Sequence, residues 1–246
     1  MWFNLFKRKE KKLFFNTDMH SHLVPGVDDG SANINTSVFL CQELSKLGIT
    51  TSYLTPHVTA ITFPNNRNTI EEPFEALKQA LKEQHVPLTI GHSAEYRLDE
   101  LFEREVLGKD DFMLFPNDYI LIENAFTQPT LHFDDLVYEL KARGLHPILA
   151  HPERYCYYAN NPSKYEEIHD SEVLFQCNIL SFAGFYGRME HDTAFYLLEN
   201  GMVDFIGTDM HRVEHLNALK HFIGTSEYKK LERMAEIRND FAFEDY

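Results

Sequence analysis

The sequence predicts a single α/β domain whose short parallel strands close into a barrel of fewer than eight units. Three observations lead there. Apolar, β-branched runs alternate with helical segments, the pattern of a parallel sheet. Seven such runs can be counted along the 246 residues, a length that suits one barrel domain. Histidines and carboxylates gather at the C-terminal end of nearly every run, the end at which closed α/β barrels build their sites. An open doubly wound sheet would draw its site from two or three strands at one crevice. Here six separate strands supply candidates, which favours closure.

The first run ends in Asp18-Met19-His20-Ser21-His22, followed by Pro25-Gly26 and Asp28-Asp29-Gly30. Side chains alternate along a strand, so an H-x-H pair points both imidazoles the same way. The turn then returns two carboxylates to the same place, a donor set that suits a divalent first-row metal better than a core. Ile49 to His57 is a second run, ending in histidine, and Leu88 to Glu95 a third, ending in glutamate. Asp118 to Glu123 ends in glutamate, and His146 to Ala150 leads into His151-Pro152-Glu153-Arg154. Glu172 to Ile179 is the sixth, and Val203 to His211 closes with Asp209-Met210-His211. At this length, apolar runs bounded by Gly and Pro read as buried strands.

Between the strands lie helical signals. Ser31 is positioned to cap a helix through Val38, Leu40, Leu44 and Leu47 that stops at Gly48. Thr69 to Gln84, Leu131 to Arg143 and Gly187 to Asn200 follow, with Pro73 tolerable in a first turn. From Ser226 onward, Tyr228, Leu231, Met234 and Ile237 recur at helical spacing and predict one packed terminal helix.

The net charge of −15 counts strongly against non-specific nucleic-acid binding. No apolar run approaches the roughly 20 residues of a membrane span, and no signal peptide is visible. Cys41, Cys156 and Cys177 lack metal-type spacing, and their odd number argues for a reducing, cytoplasmic setting. Residues 1–17 read as an N-terminal extension ahead of a domain spanning 18–246. Trp2, Phe3, Leu5 and Phe6 precede a basic cluster, Lys7 to Lys12, and Leu13 to Phe15 follow. Such a segment lies on an anionic membrane surface, frays as a tail, or docks on the barrel.

Taken in order, the H-x-H with P-G-V-D-D-G-S, the T-P-H, the H-P-E-R-Y, the Q-x-N-x-x-S and G-x-Y-G pattern from Gln176 to Gly187, and the closing T-D-M-H resemble a known group. They are similar to the bacterial manganese-dependent protein-tyrosine phosphatases of the polymerase-and-histidinol-phosphatase (PHP) superfamily, from about Asp18 to about His215. The resemblance implies a distorted seven-stranded, TIM-like (β/α) barrel holding three metal ions. It places His20, His22, Glu95 and Asp209 on the first, Glu95, Glu123 and His151 on the second, and Asp29, His57 and His211 on the third. The role of Asp28 is left open beside Asp29. Arg154 is expected on the phosphate, and His57, His211 or a metal-bound water on the leaving-group proton. Two features depart from the pattern: the seventeen residues before Asp18, and the polar Asn124 after Glu123.

The chemistry implied is hydrolysis of a phosphate monoester, slow enough uncatalysed to require a large barrier reduction. Metal coordination lowers the pKa of water from 15.7 to roughly 7 and so supplies hydroxide without a protein nucleophile. Arg154 can grip the phosphate through its planar fork. The oxygen and nitrogen ligands favour Mn²⁺, Fe²⁺ or Zn²⁺ over Ca²⁺; manganese rests on the resemblance. So does the expected partner, the phosphotyrosine-bearing tail of a bacterial tyrosine kinase that controls capsule or exopolysaccharide synthesis. That kinase would also be the route to any membrane association. The alternatives are a small-molecule phosphatase, such as one for histidinol phosphate, a polymerase-type nuclease, which the charge disfavours, and a non-catalytic module that binds the kinase tail.

Overall fold

A computed structural model of the chain describes residues 11–159 and 161–243. Among these residues it is a mixed α/β fold with nine short strands and eight α-helices. The strands form two parallel sheets. One holds β1 (Thr17–Asp18), β2 (Thr51–Leu54) and β4 (Thr89–His92), in the order β1-β2-β4. The other runs β3-β5-β6-β7-β8-β9, with β3 His57–Val58, β5 Glu95–Arg97, β6 Tyr119–Glu123, β7 His146–Ala150, β8 Leu174–Asn178 and β9 Phe205–Gly207. Every pairing is parallel.

Two runs read as continuous from sequence are broken. The second splits at Thr55-Pro56 into β2 and β3, where the proline has no N–H for a ladder. The third splits at Ser93-Ala94 into β4 and β5, so Glu95 opens a strand instead of ending one. His20 and His22 likewise lie beyond β1, not in it. The two sheets meet through the segments after β1 and β9: Ser21 and Met210 form a parallel bridge, and Asp209 N–H donates to His20 O at 2.8 Å. Below them, Asp18 accepts from the Thr208 N–H and hydroxyl at 2.9 and 2.6 Å.

Five of the helices correspond to expected ones. The first is α1 (Ile34–Lys46), capped by Asn33 accepting from Thr36 N–H and not by Ser31. The second, α2 (Arg67–Glu83), opens on a capping box between Asn66 and Thr69. Three helices had no clear sequence signal: α3 (Glu100–Gly108), α5 (Pro162–Asp170) and α7 (Val213–Phe222). The others are α4 (Phe133–Ala142), α6 (Arg188–Glu199) and α8 (Ser226–Met234). Helix α8 stops before Ile237, and Met234 is 37% exposed, so the expected packing role holds for Tyr228 and Leu231 but not for Met234.

Burial on both faces is what a parallel sheet requires. Ile120, Ile122, Leu149, Phe175 and Ile206 pack with the helices. Their alternate neighbours Leu121, Ile148, Ala150 and Phe205 form a second cluster with Met19, Phe115 and Phe243. The same parity carries upward: two residues beyond Leu121 stands Glu123, and beyond Leu174 stand Gln176 and Asn178. The inner apolar cluster is therefore the floor of the site.

Residues 11–17 pack into the fold as well. Leu13 and Phe15 are buried, Leu13 N–H donates to Leu47 O, and the Tyr228 hydroxyl donates to Lys12 O. Of the stretch Met1 to Phe15 read as a segment that lies on a membrane surface, frays or docks, residues 1–10 lie outside the described residues.

Candidate metal centre

Nine residues singled out from sequence as ligands converge above this floor. His20 Nε2 and His22 Nε2 lie 3.2 Å apart. Glu95 Oε2 is 3.4 and 3.3 Å from them, and Asp209 Oδ1 is 3.6 and 3.3 Å away. Metal–ligand bonds of about 2.0–2.1 Å put neighbouring ligands roughly 3 Å apart, which matches this cage. Beside it, Glu95 Oε1 meets His151 Nε2 at 2.8 Å, and Glu123 Oε2 is 3.9 Å from the same nitrogen. His57 Nδ1 also faces this pair of carboxylates, 2.9 Å from Glu95 and 3.3 Å from Glu123. On the third side, Asp29 Oδ1 stands 3.6 Å from His57 Nε2 and 3.7 Å from His211 Nε2. Three groups have donor geometry for an ion: His20, His22 and Glu95; His57, Glu95 and Glu123; and His22, Asp29, His57 and His211. His22, His57 and Glu95 thus each belong to two groups.

The donor set fits divalent cations on a further ground. Buried polar atoms are nearly always hydrogen-bonded. Here Glu95 Oε2, Glu123 Oε2, Asp209 Oδ1, His57 Nδ1 and His151 Nδ1 are buried without a hydrogen bond of acceptable geometry. Charge tells the same story. Burial opposes ionisation of Glu95, yet His20 and His57 hold it well below the usual carboxylate range. Burial likewise opposes a charge on His57, but Glu95 and Glu123 outweigh it and push it up to about 10. Protons on adjacent imidazoles thus supply the countercharge that cations would supply; such ligands shed protons as metal enters.

Asp28 and Asp29, inseparable in sequence, have different partners here. Asp28 Oδ2 holds His22 Nδ1 at 2.8 Å and accepts from His57 N–H at 3.1 Å. It fixes the ring so that Nε2 faces the cage, as carboxylates behind metal-binding histidines do. Asp29 faces the cavity. Gln176 Oε1 plays the orienting part for His20 Nδ1 at 2.7 Å, and Gln176 Nε2 donates to Asn178 Oδ1. Asn178 Nδ2 then donates to Asp209 Oδ2 at 2.7 Å. Gly207 makes room for this relay: a Cβ there would meet His20 Cβ at 2.6 Å and Gln176 Nε2 at 2.8 Å. His151 and Asp209 both take left-handed backbone angles, with φ of 34° and 48°. That conformation costs side-chain-bearing residues about 1–3 kcal/mol and clusters at functional sites.

Arg154 lies on the turn after β7, beside the cage. Its Nη1 donates to Asp209 Oδ2 at 3.2 Å, and its guanidinium sits 4.7 Å from the Phe126 ring and 4.3 Å from Tyr186. It therefore makes an ion pair at the rim and lines a cavity of about 260 Å³, together with Asp29, His57, Glu123 and His211. Glu153, its neighbour, is turned away and buried, accepting from Asn178 N–H and the Ser181 hydroxyl. His92, at the end of β4, does not join the cage and faces Glu71 and Phe74 on α2.

Sequence reasoning did not reach Arg97, Phe126, Phe185, Arg212 or His215. Arg97 Nε donates to Glu123 Oε1 at 2.8 Å, and the other four line the cavity. None stands in a motif with fixed ligand spacing. Only Arg97, two residues after Glu95, had a signal to find: strand parity puts it on the same face.

Comparison with known proteins places the chain in a family. The family model described as "Capsular polysaccharide synthesis, CpsB/CapC" matches residues 16–236. The chain belongs to the CpsB/CapC family. It is 28% identical to tyrosine-protein phosphatase YwqE of Bacillus subtilis, over 81% of this chain and 79% of that one. It is 30% identical to tyrosine-protein phosphatase CpsB of Streptococcus pneumoniae, over 80% of this chain and 83% of that one. Among solved structures it resembles one from work on YwqE and CpsB, described there as "unique metal-dependent tyrosine phosphatases". The TM-score is 0.74 at 24% identity, covering 91% of this chain and 97% of the other. The family match starts at Asn16, within the segment that packs against the fold.

Proposed function

We propose that this CpsB/CapC-family chain is a metal-dependent protein-tyrosine phosphatase. In this reading, residues 18–246 form one catalytic domain, a distorted seven-stranded barrel with two broken staves. The contacts between the segments after β1 and β9 support closure. The observation that carries the activity is the set of buried carboxylate and imidazole atoms crowded together without hydrogen bonds of acceptable geometry beside a fixed guanidinium.

His20, His22, Glu95 and Asp209 would hold one cation, Glu95, Glu123 and His151 a second, and Asp29, His57 and His211 a third. When bound, such cations supply Lewis acidity to a phosphoryl oxygen and lower the pKa of coordinated water. Mn²⁺ is the favoured ion, with Fe²⁺ and Zn²⁺ compatible with the same donors. Arg154 binds the phosphoryl oxygens through its fork. Phe126, Tyr186 and Asp209 hold that fork in place, so no reorganisation is needed as charge develops. A water held at the third site, or whichever of His57 and His211 is not holding a cation, would protonate the departing phenolate. The side chains of His57 and His211 are each 14% exposed, against 3% or less for His20, His22, His151 and the three carboxylates Glu95, Glu123 and Asp209.

The substrate in this reading is a phosphotyrosine-bearing protein segment, the tail of a bacterial tyrosine kinase of capsule or exopolysaccharide synthesis. Such a kinase would bring a cytoplasmic phosphatase to the membrane; no helix among the described residues is long and apolar enough to cross one. The test is phosphate release by the purified chain loaded with Mn²⁺, from a phosphotyrosine peptide and from histidinol phosphate. Preference for the peptide is expected. Preference for histidinol phosphate, or release from neither, would overturn the reading.

A further inference from the structure

The sheet order β6-β7-β8 sets three loops side by side at the mouth of the cavity. The middle loop, after β7, carries Arg154. The loop after β6 carries Phe126 on one flank, and the segment after β8 carries Phe185 and Tyr186 on the other. Phe126 stacks on His151 with centroids 5.5 Å apart and rings 19° from parallel, and it covers one side of Arg154. Phe185 packs edge-on against Tyr186 and His215, each at 5.2 Å. Both phenylalanines line the cavity, yet they stay 37% and 40% exposed. Large aromatic side chains usually bury their faces. Here Phe126, beside Arg154, and Phe185, beyond Tyr186, keep part of their surface open to the cavity, whose lining also includes Arg212.

We propose that Phe126 and Phe185 form an aromatic clamp that receives the phenyl ring of the substrate, and so select aryl phosphates over aliphatic ones. The inference rests on the phosphatase reading above. A phosphate held at Arg154 leaves its ester group to pass between these two rings. A tyrosine ester fills that gap with a flat apolar ring, whose offset or edge-on packing against aromatic faces is favourable. An alkyl ester presents a methylene there and leaves both rings in water. Discrimination thus comes from the mouth, while the cage and Arg154 treat both phosphates alike.

The test uses the full chain loaded with Mn²⁺, with phenyl phosphate and a phosphotyrosine peptide as aryl substrates and glycerol 2-phosphate as the aliphatic one. Phe185 makes no ring contact with Arg154 or with the ligand histidines, so its variants test the clamp most cleanly. Phe185→Ala is expected to lower the aryl-to-aliphatic ratio of kcat/KM about five- to tenfold, mainly through KM for the aryl substrates. Phe185→Tyr should restore the ratio, and Phe126→Leu should lower it in the same direction. A ratio unchanged by both Phe185→Ala and Phe126→Leu would overturn the clamp. So would a parallel fall on both substrate types with loss of bound metal, which marks a structural role. Wild-type chain that hydrolyses both types equally well defeats the clamp alone. Wild-type chain that hydrolyses neither defeats the phosphatase reading beneath it.

Discussion

The two ends of the sheet use the same residue types to opposite effect. At the C-terminal end, carboxylates and imidazoles crowd together with polar atoms left over: Glu95 Oε2, Glu123 Oε2 and Asp209 Oδ1 lie 2.9, 3.9 and 3.3 Å from imidazole nitrogens, buried and without a hydrogen bond of acceptable geometry. At the other end, Asp204 is also a buried carboxylate beside a histidine, but its acceptors are taken. His169 Nε2 and Phe175 N–H each reach Oδ2 at 3.0 Å, and Arg238 reaches Oδ1 at 3.0 Å. Asn239 next to it donates to Thr17 O and Ile206 O and accepts from Ile206 N–H. Asp240 accepts from Asn16 and Thr17 N–H. A satisfied polar cluster staples the terminal segment to β1 and β9; an unsatisfied one has ligand valence to offer. Satisfaction, not residue type, separates scaffold from site.

Cation removal breaks this comparison most severely. Chelation of the full chain should abolish phosphate release from a phosphotyrosine peptide and lower Tm, and Mn²⁺ should restore both. A ligand present at 100 times its Kd stabilises a fold by about 2.7 kcal/mol, so calorimetry will see the change. Chelated protein that keeps its full rate would show that the crowded atoms at the rim are not a metal site.

Arg154 comes next in expected effect. Arg154→Ala should reduce kcat/KM by roughly 2–4 kcal/mol of transition-state stabilisation while leaving metal content unchanged. Arg154→Lys should recover part of it, because a point charge replaces the charge but not the fork or the stacking between Phe126 and Tyr186. If metal content falls in step with activity, the pairing with Asp209 is structural and Arg154 leaves the catalytic list.

What was legible in the sequence followed from local rules. Apolar runs marked where strands lie, and the residues just past them marked the rim, because a parallel sheet puts all those ends together. Of the two breaks, the one at Pro56 had a local signal in a proline that cannot donate to a ladder, whereas the change of ladder partner at Ser93 is set by tertiary pairing. Helices α3, α5 and α7 were missed although they match the expected α4 and α8 in length and in buried side chains, nine or ten residues burying two to four, so neither length nor burial explains the difference. The division of labour between Asp28 and Asp29 needed tertiary contacts, since adjacent residues share every local signal. The same holds for Phe126 and Phe185, whose meaning comes from the neighbour order β6-β7-β8 and not from a motif.

The stapled end offers a smaller effect of opposite kind. Asn239→Ala removes three hydrogen bonds at a residue that is 1% exposed. Stranding buried partners costs about 1–3 kcal/mol, so urea unfolding should show a lowered midpoint. The kcat of the folded, metal-loaded protein should be unchanged. A loss of kcat without a loss of stability would mean that the two ends are coupled and that the contrast drawn between them is too sharp.

The smallest expected effect concerns the cysteines, and it tests whether the rim alone does the chemistry. A thiol acts as a nucleophile only as the thiolate, in an electropositive and partly open setting. Cys41 is buried in α1, where burial and the nearby Asp18 push its thiol up to about 12. Cys177 is buried in β8, pushed well up by burial and by Glu153. Cys156 is exposed, but it does not line the cavity that holds Arg154. Changing each in turn to Ser should therefore leave kcat within a few-fold of wild type, far from the loss of up to about 10⁶-fold that removal of a covalent nucleophile can bring. Cys41→Ser and Cys177→Ser should instead lose about 1–3 kcal/mol of stability, the cost of seating a hydroxyl in a packed interior. A kcat loss beyond about 100-fold in any of the three, with circular dichroism and metal content intact, would transfer the attack from the metal cage to a thiol.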